Sequence, residues 1–222
     1  MALDCDGVDD QVDHGDIAGI DSGAVLTVMC WANVDTVPTI ETAYVGKVVA
    51  GTPYVFLFGP TTDNKVMFLA GAAGSANGKS PALTQTNGVD EHWAVVYDGA
   101  GAANADKVKM YKNGIDQTLT FTGTFPATLA DGGTEPVYAA RDSRGSVFLN
   151  GRVSHIKLWL AALTAAEVAQ EFNSYRPVRT ANLSLWAPYD DGTSARDYSG
   201  AGNHGTVTGA LQVPGPPVSY GG

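Results

Sequence analysis

Carboxylates are the residues of this chain with the most chemistry to offer. Asp4, Asp6, Asp9, Asp10, Asp13 and Asp16 crowd the opening segment, and so many hard oxygen donors suit calcium, which takes about 6–8 oxygens at roughly 2.3–2.6 Å. Asp6, Asp9 and Asp10 are the expected ligands. The competing duty is local, because an Asp side chain in a turn bonds its own backbone two residues on. A second acidic set, Asp190, Asp191, Asp197 and Asn203, lies late in the chain, where Asp197 and Asn203 bracket Gly200 and Gly202.

Catalytic constellations are not expected. Retaining glycoside hydrolysis needs two carboxylates about 5–5.5 Å apart, and inversion about 6.5–9.5 Å. The glutamates stand at 41, 91, 135, 167 and 171, none at an alternate strand position to a second acid. The four histidines come without a Gly-x-Ser-x-Gly nucleophile turn. Zinc spacing, a phosphate-cradling glycine loop and a dinucleotide fingerprint are likewise missing from the sequence.

Binding is the other option. A sugar site wants an aromatic surface beside polar groups. Trp31, Trp93, Trp159 and Trp186 sit in apolar strand-like runs and read as core, whereas Tyr44, Tyr138 and Tyr198 lie near loops. Arg141-Asp142-Ser143-Arg144 is the most site-like polar loop. The expected ligand contacts are Tyr44, Tyr138, Arg141, Asp142 and Arg144.

These side chains need a scaffold of about the right size. The 222 residues suit one β-rich domain over 1–213 with a Pro/Gly-rich tail at 214–222, since all-β folds run to about 200–250 residues as one unit. With 27 Gly, 11 Pro and only 16% charged residues, short strands and tight turns are favoured over long helices. A net charge of −10 with 13 scattered basic residues argues against nucleic acid and acidic membranes. No apolar run approaches the roughly 18 residues of a membrane span, and the start is acidic where a secretory leader would be basic and then apolar. Cys5 and Cys30 are too few for a disulfide scaffold and are expected as buried free thiols.

Strand signals recur at 26–34, 54–58, 65–70, 92–97 and 183–186. In Lys107–Lys112 the alternation puts Val108 and Met110 on one face, with Lys109 and Tyr111 facing solvent. Asn113-Gly114 then predicts a tight hairpin, because both central positions of a type I′ turn need positive φ, with the return strand over 117–122. Thr164 followed by Glu167 forms a capping box for one short helix over 165–172, whose apolar face includes Val168 and Phe172. The expected fold is all-β: a two-sheet antiparallel sandwich with one peripheral helix.

Three segments resemble the laminin G-like, concanavalin A-like superfamily. Ala2–Asp10 with Leu26–Trp31 is similar to its opening hairpin and first long core strand. Phe148–Trp159 with Ala162–Val168 is similar to its late strand and the helix that follows. Asp197–Gly205 resembles a segment that often precedes the opening hairpin. The resemblance implies a jelly roll in which that last segment lies beside the hairpin, so that Asp197 and Asn203 would share one calcium ion with Asp6, Asp9 and Asp10. Where the family usually carries an Asp-Glu pair after the position of Val153, this chain has Ser154-His155, which removes that pair's role.

The functional expectation is therefore a non-catalytic, lectin-like module that binds glycan at loops or on a sheet face, with calcium. The alternative is a phage virion decoration or adhesion protein, at a virion or cell surface, whose partner is a repeating protein surface and which self-associates into a homo-oligomer. A glycoside hydrolase ranks last.

Overall fold

The computed structural model describes residues 1–50, 53–71, 76–80, 85–144, 147–191 and 194–216. Its strands are β1 (Ala2–Asp6), β2 (Gln11–Asp13), β3 (Val25–Val34), β4 (Val45–Val48), β5 (Tyr54–Pro60), β6 (Val66–Gly71), β7 (Ala76–Lys79), β8 (Glu91–Asp98), β9 (Val108–Lys112) and β10 (Ile115–Gln117). There follow β11 (Thr120–Thr122), β12 (Tyr138–Ala139), β13 (Arg141–Asp142), β14 (Val147–Phe148), β15 (Asn150–Trp159), β16 (Leu183–Ala187), β17 (Ser194–Ala195), β18 (Gly205–Thr208) and β19 (Leu211–Val213). One turn of helix, α1 (Asn104–Lys107), precedes β9, and α2 (Ala165–Phe172) follows β15. No helix among the described residues is long and apolar enough to cross a membrane.

Two antiparallel sheets make the sandwich. One has eight strands, in the order β10-β9-β8-β3-β15-β1-β19, with β16 also paired to β15. The other has nine, in the order β11-β7-β6-β5-β4-β12-β2-β18-β17. Alternate residues of β3, from Leu26 through Val28, Cys30 and Ala32 to Val34, face Phe56, Phe58, Val66 and Phe68 of the second sheet in one shared core. Burying each large apolar side chain contributes about 1.5–3 kcal/mol. Cys5 and Cys30 are free thiols within this core.

The outer faces are covered too. Met29, Ala94, Val96, Tyr111 and Trp159 turn away from the main core and pack beneath Leu163 and Val168 of the α2 segment. Tyr111, expected in solvent, is thus only 5% exposed, because the helix roofs that face of β9. The helix carries the expected capping box: Thr164 Oγ1 accepts from Glu167 N, and a Glu167 carboxylate oxygen accepts from Thr164 N at 2.7 Å.

Two sheet assignments differ from the sequence expectation. The opening segment is not a hairpin: β1 pairs with β15 and β19 in one sheet, while β2 pairs with β12 and β18 in the other. The Asp-rich turn between them is a crossover from sheet to sheet. After Asn113-Gly114, both at positive φ as a type I′ turn requires, β10 begins at once at Ile115 and ends at Gln117. The chain then changes sheet, and Thr120–Thr122 pairs with β7. The tail residues 217–222 lie outside the described residues. The segment containing Asp197 does lie beside the opening strands, since β18 pairs with β2 and β19 with β1.

The late strand β15 contains a bulge. Its pairing with β3 shifts between Ser154 and Lys157, and His155 stands there at φ 49°. One extra residue keeps the alternation in phase, so Val153 and Ile156 both reach the core. On the opposite edge β15 pairs first with β1 and then with β16.

Candidate functional site

Strand register brings several loops to one rim. Asp6 at the end of β1 pairs with Asn150 at the start of β15, and Gly151 pairs with Val34 at the end of β3. Asp35 N then donates to Asn150 O at 3.0 Å. The crossover turn after β1, the loop after β3 and the β13–β14 ribbon therefore converge on one end of the sandwich.

Three clefts run together along this rim. The first, about 460 Å³, is lined by Asp4, Asp6, Asp10, Asp35, Asn150 and the β18–β19 turn. Asp6 and Asn150 also wall the second, about 380 Å³, whose apolar side is Ile40, Val147 and Phe148 and whose hydroxyls come from Thr36, Thr39 and Thr42. Thr39, Ile40 and Val147 continue into the third, about 510 Å³, which ends at Asp142 and Arg144.

At the acidic end, one carboxylate oxygen each from Asp6, Asp9 and Asp10 lie within 4.8 Å of one another. Part of their capacity serves the turn, for Asp10 Oδ2 accepts from Asp6 N and Asp6 Oδ1 from Val8 N, both at 2.8 Å. Each keeps a second oxygen. Burial, then the charges of Asp6, Asp9 and Asp4, raise the Asp10 carboxyl above its ordinary value, against the hydrogen bond from Asp6. Hard oxygens without an available soft donor suit calcium, since burial holds the adjacent Cys5 thiol firmly protonated.

Asp197 and Asn203 do not join this set. Asp197 Oδ1 accepts from Trp186 N and Ser199 N, and Oδ2 from Ser199 Oγ and Asn203 N, at 2.8–3.0 Å. Burial pushes its carboxyl up, but these donors hold it below the ordinary range. Asn203 Nδ2 donates to Ser184 O. A buried carboxylate with four donors has its lone pairs committed to its own loop and to β16, so the shared ion expected from the resemblance is replaced by a closed turn.

The expected ligand contacts divide. Tyr44 is fully buried, its hydroxyl donating to Gln85 Oε1 at 2.6 Å, and it presents no face to a ligand. Arg141 lies over Tyr138 at 4.6 Å and over Phe148 at 5.7 Å, with Nη1 donating to Gln11 Oε1. Arg144 grips Asp142 with Nε and Nη2 and lies 4.4 Å over the Tyr54 ring. Burial, offset by the bond from Arg144 N, raises the Asp142 carboxyl to about 6. Tyr198, 40% exposed, stands apart from the rim clefts beside Trp186 and Arg196.

Sequence reasoning missed Phe148, Asn150, Ile40 and Asp35. The one available signal was Phe148-Leu-Asn150 opening a strand directly after the polar 141–144 loop. Four of the glutamates have structural duties: Glu41, Glu91, Glu167 and Glu171 pair with Lys79, Lys112, Arg179 and Lys157 respectively.

Comparison with solved structures agrees with this architecture. A protein of Bacteroides ovatus put forward as carbohydrate binding superimposes with a TM-score of 0.68 at 18% identity, over 99% of this chain and 61% of its own. The chain thus spans less than two thirds of that protein. The heptameric SAP-like pentraxin of Limulus polyphemus gives 0.57 at 14% identity, over 76% of this chain and 79% of its own. Domain 4 of an extracellular GH43 arabinanase from Geobacillus stearothermophilus, solved with arabinotriose, gives 0.50 at 20%, over 68% of each chain. No curated protein sequence matches. A sequence profile matches residues 6–169, nearly three quarters of the chain, and with the sandwich it places this protein in the concanavalin A-like lectin/glucanase superfamily.

Proposed function

We propose that this protein is a non-catalytic, lectin-like module that holds a glycan in the rim groove, with calcium at the Asp6–Asp9–Asp10 turn. The observation that carries the reading is the continuity of the three clefts from those carboxylates to the Asp142–Arg144 pair, with Ile40 and Phe148 as an apolar wall between. A pyranose has that mixture of needs: hydroxyls for Thr, Asn and Asp, and an apolar face for an aromatic edge. The arabinanase domain solved with arabinotriose lends support through the shared fold.

An immobilised glycan panel, run with calcium and again with chelator, tests this. We expect selective retention of at least one glycan class, lowered about tenfold by Phe148→Ala, equivalent to about 1.4 kcal/mol, with thermal stability nearly unchanged. Retention unaffected by Phe148→Ala would move the site elsewhere, and a blank panel would end the reading.

The calcium site has its own check at Gly209. This residue is at φ 75°, and an added Cβ would stand 1.8 Å from Asp10 Oδ1. Gly209→Ala is therefore expected to displace that oxygen and weaken calcium about tenfold by calorimetry, while costing about 1–2 kcal/mol of stability for its left-handed backbone. Wild-type protein that takes up no calcium at millimolar concentration would remove the ion from the proposal.

The decoration or adhesion reading has one feature in its favour. Ile115 and Leu211, 67% and 70% exposed, sit on β10 and β19, the outer strands of the eight-stranded sheet, where a protein partner can add a strand. A blank glycan panel would favour it.

A further inference from the structure

The rim groove has a pronounced charge imbalance. Among the described residues, Asp4, Asp6, Asp10, Asp35, Glu41 and Asp142 line its three clefts, and Arg144 is the one cation that does. That guanidinium is already held by Asp142. Of the other cations near the rim, Arg152 pairs with Asp4 at 3.2 Å and Lys79 with Glu41 at 3.3 Å, while Arg141 lies over the Phe148 ring with Nη1 on Gln11, away from the acidic end. Without calcium, what remains uncompensated gathers at one end: Asp35, whose side chain is exposed, and the second oxygens of Asp6 and Asp10. This end adjoins the apolar wall, because Asp6 and Asn150 belong to both clefts.

We propose that the groove selects amino sugars carrying a free ammonium group, of the glucosamine type, over their N-acetylated and their anionic counterparts. The inference rests on the glycan-binding reading above. A ring packed against Ile40 and Phe148 places one edge toward Asp6 and Asn150, and an ammonium on that edge meets Asp35 and Asp10. Uronates and sulfated sugars seated on that edge meet the same carboxylates as like charges. The selectivity is electrostatic at an open surface, so it weakens with salt as the Debye length falls from about 10 Å at 0.1 M to about 3 Å at 1 M.

A matched pair of ligands isolates the effect. Binding of a chitosan tetrasaccharide and of its fully N-acetylated counterpart is measured by calorimetry at low salt with chelator, at pH 6.5 and again at pH 8.5. The free-amine sugar is expected to bind about tenfold more tightly at pH 6.5, and the advantage is expected to vanish at pH 8.5, where the amine is neutral, and in 1 M salt. Asp35→Asn, which removes a carboxylate without a hydrogen-bond duty in the fold, should reduce the advantage to about threefold. Equal affinity of the two sugars, tighter binding of an oligouronate, or an advantage unchanged by salt would overturn the selectivity while leaving a glycan site in place. Failure of every sugar on the panel would overturn the selectivity and the glycan site together.

Discussion

Acidifying the protein from pH 7.5 to 5.5 is expected to remove about 3 kcal/mol of unfolding free energy, through three histidines that the fold holds neutral. Burial is the leading cause at each: it lowers His14 to about 4 and His92 and His155 to about 3. An imidazole in the unfolded chain titrates near 6.5. Between these values the unfolded chain carries more protons than the folded one, so stability falls as pH falls. Each histidine contributes roughly 1.4 kcal/mol over this interval. Asp142 acts in the opposite sense, because its carboxyl, raised to about 6, takes up a proton in the folded state first, and it offsets about 0.8 kcal/mol.

The geometry explains why the rings resist protonation. His14 lies between Tyr189 Oη at 2.8 Å and Asn203 O at 3.2 Å, and His92 packs against Trp31 and Phe172. His155 Nε2 is buried without a partner. Urea denaturation at half-unit pH steps measures the effect. Since a left-handed residue at the β15 bulge is tolerable for Asn, His155→Asn should keep the fold and cut the pH slope by about two fifths. A profile flat from 7.5 to 5.5 would mean that these rings are not neutral in the fold.

Glu171→Ala is the second change with a large expected effect, about 4 kcal/mol, or a fall of roughly 10 °C in Tm. The carboxylate accepts Lys157 Nζ at 2.7 Å through one oxygen, and Val178 N and Arg179 N at 2.8 and 2.9 Å through the other. Removing it leaves a buried ammonium with only the carbonyls of Glu171 and Ser174, and two backbone donors without acceptors. Lys157→Met is expected to cost less, because Glu171 retains those two donors. Equal losses for the two variants would show that the ion pair, rather than the backbone bonds, sets the cost.

Both predictions concern groups to which the sequence assigned no buried role, and the reason is physical. Local rules were readable: the turn at Asn113-Gly114 and the capping box at Thr164 depend on residues within a few positions. The sandwich and its family were readable from strand spacing and the three segments quoted. Exposure was not, because Tyr111 lies where alternation puts one face outward and Tyr44 lies near a loop, yet α2 covers the first and a buried hydroxyl bond claims the second. The Asp-rich turn was visible as donors, since Asp6, Asp9 and Asp10 are near in sequence as well as in space. The groove beyond it was not, because Ile40 comes from the loop after β3, Arg144 from the β13–β14 turn and Asn150 from the start of β15, and the β1–β15–β3 register brings them together.

The pairing of the first and last strands has a mechanical consequence. Ala2 stands opposite Val213 and Asp4 opposite Leu211, antiparallel, with Gly215 beside Met1. Tension applied through the two ends of this chain would load the outermost rung first and then each rung in turn, as a zipper opens, rather than shearing the whole ladder at once. The sandwich would begin to yield at low force by shedding β19, and that strand's departure would uncover the edge of β1 next to the acidic turn.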